Sequence, residues 1–267
     1  MISPMELNGA HVLITGATGG IGQAIATAVA ARGGEVILTG RRTDVLEPLA
    51  KRLGGRAIAA DLADRAGVAE LLDSAGDLDV IVANAALPGS GLLTDYSVEE
   101  IDRALEVNLR APIMLARLTA AHLTARGRGH LVFINSLSGK TASGGAVMYN
   151  ATKFGLRGFA LALREDLRPH GVGVSTIFPG FIRDAGMFAD SGVTLPRGVG
   201  TRTPADVARA VVRAVEKNVP EIDVAPWPLR LATFLGGAAP GLAASVQRRI
   251  GGDKITEQMA EGQRDKR

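Results

Sequence analysis

Hydrophobic positions along the chain alternate between short, nearly continuous apolar runs and longer stretches with helical spacing. Continuous apolar runs are typical of strands that are buried on both faces of a sheet, whereas recurrence every three to four residues predicts helices. The predicted strands span residues 10–15, 35–39, 56–60, 78–83, 130–135, 172–178 and 221–225. The predicted helices include residues 20–32, 44–53, 98–125, 148–168 and 204–217. This alternation predicts an α/β fold with a doubly wound parallel sheet flanked by helices, because parallel strands need crossover connections.

Local turn signals support these boundaries and indicate one domain. Residues 203–206, Thr-Pro-Ala-Asp, combine an N-cap, a first-turn proline and an acidic residue near the positive end of a helix. Residues 168–171, Arg-Pro-His-Gly, end the preceding helix. Since no linker or repeat interrupts the sequence, we expect residues 1–267 to form a single domain. Residues 184–203 contain glycine and proline and are weakly periodic, so we expect a mobile substrate loop over the site.

Residues 227–267 are expected to form a C-terminal helical tail. The most apolar part of this tail, residues 231–246, is interrupted by glycines and a proline and is shorter than a bilayer requires. We therefore expect no integral membrane span. Two interpretations stay open: a broken helix that packs on the core or a partner, or a surface that covers a lipophilic substrate or touches a membrane.

Composition excludes several chemistries. The chain has no cysteine, which rules out disulfides, cysteine-ligated zinc and thiol catalysis. The net charge is only +3 and the basic residues are scattered, so a nucleic-acid partner is not predicted. The four histidines are dispersed without metal-ligand spacing, so no metal site is predicted. Residues 1–9 lack a basic region followed by an apolar run, so we expect a cytoplasmic location.

A glycine-rich turn follows the first predicted strand and opens a helix. It reads Thr15-Gly16-Ala17-Thr18-Gly19-Gly20-Ile21-Gly22. Glycines let backbone amides approach a pyrophosphate, and the start of the helix offers unpaired N–H groups to the same anion. The position of this turn in the first βα unit favours a Rossmann-type dinucleotide site over a tight turn without a ligand. The predicted cofactor contacts here are Gly16, Thr18, Gly19, Gly20, Ile21 and Gly22.

The ends of the next strands indicate which dinucleotide binds. The second strand ends in Gly40-Arg41-Arg42, where an acidic residue would bind the ribose hydroxyls of NAD. Because arginine pairs with phosphate, Arg41 and Arg42 favour NADP, while NAD stays possible and the arginines could simply be solvated. Further predicted cofactor contacts are Asp61 and Leu62 after the third strand, and Asn84, Ala85 and Ala86 after the fourth. Asp61 could equally cap the next helix.

Four polar residues form a candidate catalytic group. Tyr149 and Lys153 are four residues apart in a predicted helix and so share one face. A phenol can protonate a carbonyl oxygen, and the Lys153 cation and an oxidised nicotinamide are expected to lower its pKa. Ser136, at the end of the fifth strand, can hydrogen-bond the reacting oxygen. Asn108, inside the predicted helix 98–125, could position a water that relays protons to Lys153.

Together these features resemble the classical short-chain dehydrogenase/reductase family over roughly residues 7–225. The features are Thr15-Gly-x-x-x-Gly-Ile-Gly22, Asn84-Ala85-Ala86, Asn108, Ser136, Tyr149-x-x-x-Lys153 and Pro179-Gly180. The resemblance implies a catalytic tetrad of Asn108, Ser136, Tyr149 and Lys153, with the last two also binding the cofactor. It also implies cofactor contacts at Pro179, Gly180 and the backbone of Ile182, and a homodimer or homotetramer. One departure is Asp184, which stands where the family often has a carboxamide-binding threonine.

The predicted function is that of an NADP-dependent oxidoreductase that moves a hydride between the nicotinamide and a carbonyl or secondary alcohol. The side chains predicted to line the substrate pocket are Leu87, Leu137, Val147, Phe181, Met187 and Phe188, which favour a hydrophobic substrate. The main alternative is a protein that binds NADP as a redox sensor without turnover. An epimerase or dehydratase is a third possibility, but such relatives use a different glycine spacing and a longer substrate domain.

Overall fold

The computed structural model describes residues 5–193, 195, 199–241, 258 and 261–263, and within them seven strands form one parallel sheet. The strands are β1 (His11–Ile14), β2 (Glu35–Gly40), β3 (Arg56–Ala59), β4 (Val80–Ala83), β5 (Gly129–Ile134), β6 (Val172–Pro179) and β7 (Glu221–Val224). Their order is β3-β2-β1-β4-β5-β6-β7, which confirms the predicted doubly wound sheet. The chain runs outward through β2 and β3 and then returns to place β4 beside β1. At this reversal of the strand order, a crevice lies between the carboxyl ends of β1 and β4.

Helices cover both faces of the sheet. They are α1 (Gly20–Ala30), α2 (Thr43–Leu53), α3 (Gly67–Ala75), α4 (Val98–Leu105), α5 (Ala111–Arg126), α6 (Val147–Leu167), α7 (Pro204–Lys217) and α8 (Trp227–Ala238). The predicted N-cap of α7 is confirmed, because the Thr203 hydroxyl accepts the Asp206 N–H at 3.2 Å and the Asp206 carboxylate accepts the Thr203 N–H at 2.8 Å. None of the helices in the described residues is long and apolar enough to cross a membrane.

Side chains alternate along the central strands between two hydrophobic cores. Val12 and Ile14 of β1 face a core that includes α1 and α7, whereas Leu13 between them faces a core with α3, α5 and α6. All three side chains are fully buried. Successive strand residues point to opposite faces, so a run that is apolar at every position can fill both layers. The two cores hold the strand ends at a common edge, where the candidate site forms.

The prediction of one continuous helix over residues 98–125 is wrong. A π-helical turn, Glu106–Arg110, separates α4 from α5, and the Ala111 N–H donates to the carbonyl of Glu106, five residues earlier. The reason lies in Pro112, which has no N–H for the carbonyl of Asn108 four residues before it. The regular bonding pattern is interrupted there, and Asn108 lies in the middle of the wider turn.

Two other predicted regions are only partly described. The tail predicted over residues 227–267 begins as α8, but residues 242–257, 259, 260 and 264–267 lie outside the described residues. Within the segment 184–203, residues 194 and 196–198 lie outside them as well. The base of this segment is closed by hydrogen bonds from the Arg183 N–H to the Arg202 carbonyl and from the Arg202 N–H to the Phe181 carbonyl, both at 2.9 Å. The mobility of the segment stays a prediction.

Candidate active site

A cleft of about 1390 Å³ runs along the carboxyl edge of the sheet and collects most of the predicted site residues. The predicted cofactor contacts that line it are Gly16, Thr18, Gly19, Gly20, Ile21, Gly22, Arg41, Arg42, Asp61, Leu62, Asn84, Ala85, Ala86, Tyr149, Lys153, Pro179, Gly180 and Ile182. Ser136 also lines the cleft, but Asn108 does not. This volume exceeds the roughly 300–1,000 Å³ of an ordinary small-molecule site, so it can hold a dinucleotide and a second molecule.

Of the side chains predicted to line the substrate pocket, most but not all lie at the cleft. Leu87, Leu137, Phe181, Met187 and Phe188 line the cleft, whereas Val147 does not. Val147 is the first residue of α6 and its side chain is 40% exposed to solvent, while the neighbouring Met148 is buried. The prediction for Val147 is therefore wrong, because successive helical residues point about 100° apart and only some of them can face the cleft.

Close backbone packing shapes the glycine turn. Gly16 has a φ of +63°, and a Cβ placed on it would lie 2.8 Å from the Cα of Ala85. A Cβ on Gly22 would lie 2.4 Å from the Gly16 carbonyl oxygen, so neither position can carry a side chain. α1 begins at Gly20 without a side-chain cap and without an acidic residue in its first turn. Its first N–H groups are therefore available to an anion.

Arg41 and Arg42 differ in what they contact. The Arg42 guanidinium donates a hydrogen bond to the Thr18 carbonyl at 2.7 Å and so braces the glycine turn. Among the described residues, the exposed Arg41 side chain has no hydrogen-bond or ion-pair partner. Arg41 is therefore the guanidinium that can pair with a phosphate in the cleft, while Arg42 holds the backbone beside it.

Asp61 and Asp184 have local roles in the structure. The Asp61 carboxylate accepts the Ala63 N–H at 3.0 Å in the turn before α3 and also lines the cleft; the alternative that it caps the next helix is wrong, because the N-cap position of α3 is Ala66. Asp184 has a φ of +72°, is exposed, and lies 3.5 Å from the guanidinium of its neighbour Arg183. Asp184 therefore shapes the loop that follows Ile182.

Tyr149, Ser136 and Lys153 come together on the wall of the cleft. The Lys153 ammonium is buried, donates to the Ile134 carbonyl at 3.1 Å and lies 5.5 Å from the centroid of the Tyr149 ring. Burial lowers the pKa of Lys153 from 10.5 to about 8. Burial also raises the pKa of the Tyr149 phenol, and a hydrogen bond with Ser136 offsets part of that rise. The pKa of Tyr149, expected from the sequence to be lowered, is therefore raised by the protein's own groups.

Asn108 supports this group from behind the cleft wall. The Asn108 carboxamide oxygen accepts the Leu87 N–H at 2.7 Å, and its nitrogen donates to the Leu87 carbonyl at 2.9 Å. The side chain is thus committed to the loop after β4. Both polar atoms of the side chain therefore have partners in this loop, and the water-positioning role predicted for Asn108 stays a prediction.

The family match agrees with this geometry. The sequence model of the short chain dehydrogenase family matches residues 10–194, which include the glycine turn, Ser136, Tyr149 and Lys153. The chain belongs to this family.

Relatives and solved structures extend the similarity beyond the matched residues. Ketoacyl reductase HetN from Nostoc sp. is 33% identical over 269 residues, which cover 96% of this dehydrogenase and 94% of the relative. A short-chain dehydrogenase from Sphingobium yanoikuyae in complex with NADPH is 27% identical with a TM-score of 0.76, covering 87% of this chain and 94% of the other. A 3-ketoacyl-(acyl-carrier-protein) reductase from Brucella melitensis complexed with NADH is 26% identical with a TM-score of 0.73, covering 82% and 97%. The chain is an NAD(P)-dependent short-chain dehydrogenase/reductase.

A nicotinamide dinucleotide fits the residues that this dehydrogenase provides. The glycine turn leaves no room for a Cβ at Gly16 or Gly22, and α1 presents free N–H groups there. The exposed, unpartnered Arg41 stands at the same end of the cleft. Within the described residues, no cluster of three or more potential metal ligands is present. The donor set therefore suits a phosphate-bearing cofactor.

Thr15 and Asn84 hold the glycine turn of the dehydrogenase in place. The Thr15 hydroxyl accepts the N–H groups of Asn84 at 2.9 Å and of Ala85 at 3.0 Å. The Asn84 carboxamide donates back to the Thr15 carbonyl at 2.8 Å. Thr15 is absent from the predicted site residues, although its position as the last residue before the turn was a usable signal.

Asn135 is a further site residue that the sequence prediction missed. Its carboxamide oxygen accepts the Ser136 N–H at 2.8 Å, and its nitrogen donates to the Lys153 carbonyl at 3.0 Å. A Cβ on Gly139 would lie 2.5 Å from the Asn135 oxygen, so this junction tolerates only glycine there. The buried Asn135 side chain therefore fixes the distance between the main chains of Ser136 and Lys153. A buried asparagine directly after an apolar strand was the available signal.

Proposed function

We propose that this dehydrogenase transfers a hydride between NADP(H) and a hydrophobic carbonyl compound or secondary alcohol, with Tyr149 as the acid/base group. The observation that carries this proposal is the grouping of the Tyr149 phenol, the Ser136 hydroxyl and the Lys153 ammonium on one cleft wall. A protein that only senses the cofactor does not require a buried ammonium beside a buried phenol.

The residues of the chain have distinct tasks in this proposal. When bound, the nicotinamide supplies or accepts the hydride. Because its pKa is raised, Tyr149 is protonated near neutral pH and can give its proton to the carbonyl oxygen during reduction. The Ser136 hydroxyl hydrogen-bonds the same oxygen as charge develops on it. Lys153, with a pKa of about 8, remains largely charged at neutral pH and stabilises the tyrosinate that proton transfer leaves.

The apolar end of the cleft supports a hydrophobic substrate. Its lining includes the apolar side chains of Leu137, Phe181, Met187, Phe188 and Leu229. The similar proteins from Nostoc and Brucella are named ketoacyl reductases, which supports reduction of a carbonyl group. We propose that residues 184–203 cover the substrate, because Ala185, Met187 and Phe188 of this segment already line the cleft.

Tyr149→Phe tests the catalytic assignment. We expect turnover of a panel of hydrophobic ketones and aldehydes, followed by NADPH absorbance, to fall at least about 10²-fold. NADPH binding, measured by its fluorescence, is expected to stay close to wild type. Tyr96→Phe, a change to the other tyrosine of the chain, is the matched control and is expected to keep turnover. Wild-type turnover in Tyr149→Phe would refute the mechanism. NADPH binding without turnover of any substrate by the wild-type protein would favour the redox-sensor alternative.

The preference for NADP rests on Arg41. We expect Arg41→Ala to weaken NADPH about 10- to 100-fold and to leave NADH almost unchanged, because only NADPH carries the 2′-phosphate. Arg42→Ala is expected to weaken both cofactors, since it removes the brace on Thr18 rather than a phosphate contact. Titration of each variant with both cofactors measures this difference. Equal weakening of NADPH and NADH by Arg41→Ala would contradict the assignment.

We also propose that the dehydrogenase is a cytoplasmic homodimer or homotetramer. Large apolar side chains on α4, α5 and α6 stay more than a third exposed, and they include Leu105, Leu118, Phe154 and Leu161. Exposed large apolar side chains on neighbouring helices are typical of an interface between subunits. Sedimentation velocity measures the assembly, and a monomer at micromolar concentration would contradict it.

A further inference from the structure

The helix α8 presents an apolar face that points away from the protein. Trp227, Leu231, Phe234 and Leu235 are spaced at i, i+4, i+7 and i+8, which places them within one face about 100° wide. These side chains are 71%, 48%, 72% and 56% exposed. An exposed stripe of this size on a water-facing helix indicates a binding surface.

The opposite face of α8 forms part of the cleft wall. Leu229, Ala232, Thr233 and Gly236 of this face line the cleft. The helix also packs tightly against the protein, since a Cβ on Gly237 would lie 2.7 Å from the Lys140 carbonyl oxygen. Only the width of α8 therefore separates the apolar end of the cleft from the exposed stripe. Leu235 belongs to both, because it lines the cleft and is more than half exposed.

The one charged residue of α8 is Arg230, and the helix contains no aspartate or glutamate. Arg230 is exposed and lies one helical turn from Phe234. Tryptophan and phenylalanine next to arginine are the residues that amphipathic helices use at the surface of anionic bilayers. This composition complements a lipid surface better than the apolar patch of another protein.

We propose that α8 docks the dehydrogenase onto an anionic lipid surface, with its apolar stripe in the interface and without crossing the bilayer. The helix would lie in the membrane plane, as its length of 12 residues requires. A lipophilic substrate dissolved in the bilayer would then reach the cleft along α8. That route rests on the proposed function, whereas the docking itself does not.

Trp227 makes the proposal directly testable, because it is the only tryptophan of the chain and lies in the stripe. The full-length protein is titrated with phosphatidylcholine vesicles with and without phosphatidylglycerol. On the anionic vesicles we expect the Trp227 emission to shift to shorter wavelength and to become protected from iodide quenching. Neutral vesicles are expected to bind at least about tenfold more weakly, and added salt is expected to release the protein. Since no turnover is measured, failure here would be distinct from failure of the proposed reaction.

Substitutions on the stripe identify the surface. Phe234→Glu and Leu231→Glu are each expected to weaken binding at least about tenfold, while their thermal unfolding and NADPH binding verify that they fold. Leu93→Glu changes an exposed leucine in the segment between β4 and α4 and is expected to bind vesicles like the wild type. Absence of a spectral shift on anionic vesicles would overturn the proposal, as would equal binding by Phe234→Glu. A blue-shifted Trp227 emission that depends on protein concentration and not on lipid would assign the stripe to a second copy of the chain.

Discussion

Burial of the Lys153 ammonium lowers the free energy of unfolding, and a single substitution can measure this effect. Its pKa is lowered by burial from 10.5 to about 8 in the folded protein. Below pH 8 the lysine is charged in both the folded and the unfolded protein, so the folded state bears the full cost of burying that charge. A difference of roughly 2.5 pKa units at about 1.4 kcal/mol per unit gives a cost of about 3 kcal/mol.

The sign of the pH dependence follows from this pKa. Between pH 8 and 10.5 the folded protein releases the Lys153 proton while the unfolded chain retains it, so the free energy of unfolding rises with pH. Lys153→Met removes the titrating group and keeps an apolar stem of similar length. We therefore expect the wild type to gain up to about 3 kcal/mol of unfolding free energy relative to Lys153→Met as pH rises from 8 to 10.5. The variant is expected to have lost its turnover.

Urea unfolding of both proteins, followed by circular dichroism at half-unit pH steps, measures this difference. Groups that titrate in both proteins cancel when the two curves are subtracted. Lys51→Met, which removes an exposed lysine of α2, controls for the loss of one lysine and is expected to change stability by less than about 1 kcal/mol. A difference between wild type and Lys153→Met that stays flat from pH 8 to 10.5 would refute the reasoning, and so would a fall.

Two further substitutions probe how the catalytic group is positioned. Asn135→Leu removes both hydrogen bonds at the end of β5, including the one to the Lys153 carbonyl, and is expected to lower kcat about 10²-fold with little change in NADPH affinity. A change confined to KM in steady-state kinetics would speak against a positioning role. Gly89→Ala is expected to lower kcat as well, because the added Cβ would lie 2.9 Å from the Tyr149 nitrogen and 3.0 Å from its Cβ. Gly158→Ala in α6, where the Cβ would meet open space, should keep kcat, and equal rates for the two alanine variants would contradict the packing argument.

The sheet could be predicted because its determinants are local. Each strand is a nearly continuous apolar run, and the alternation of β1, β2 and β3 with α1 and α2 leaves few other arrangements. The glycine turn was predictable for the same reason, since strand, turn and helix follow one another directly. The break at Glu106–Arg110 was missed although Pro112 is visible in the sequence, because the apolar periodicity continues on both sides of the break.

Other features depend on contacts that sequence spacing does not reveal. The two hydrogen-bond partners of Asn135, Ser136 and Lys153, lie one and eighteen residues away along the chain, so no short sequence motif indicates the role of Asn135. Arg41 and Arg42 are adjacent and chemically identical, and only the fold shows that Arg42 is engaged by Thr18. The upward pKa shift of Tyr149 likewise depends on burial, which a neighbouring lysine in the sequence does not predict.

The placement of β4 beside β1 has a consequence for how the enzyme is assembled during translation. Val12 pairs with Val80, and the glycine turn is held by the hydrogen bonds between Thr15 and Asn84. The first βα unit therefore cannot reach its final form until β4 has left the ribosome. Tyr149 is synthesised only after β5 has followed. The nascent chain thus completes the glycine turn and its Asn84 brace before it acquires Tyr149, whereas the cofactor contacts predicted at Pro179, Gly180 and Ile182 follow only afterwards.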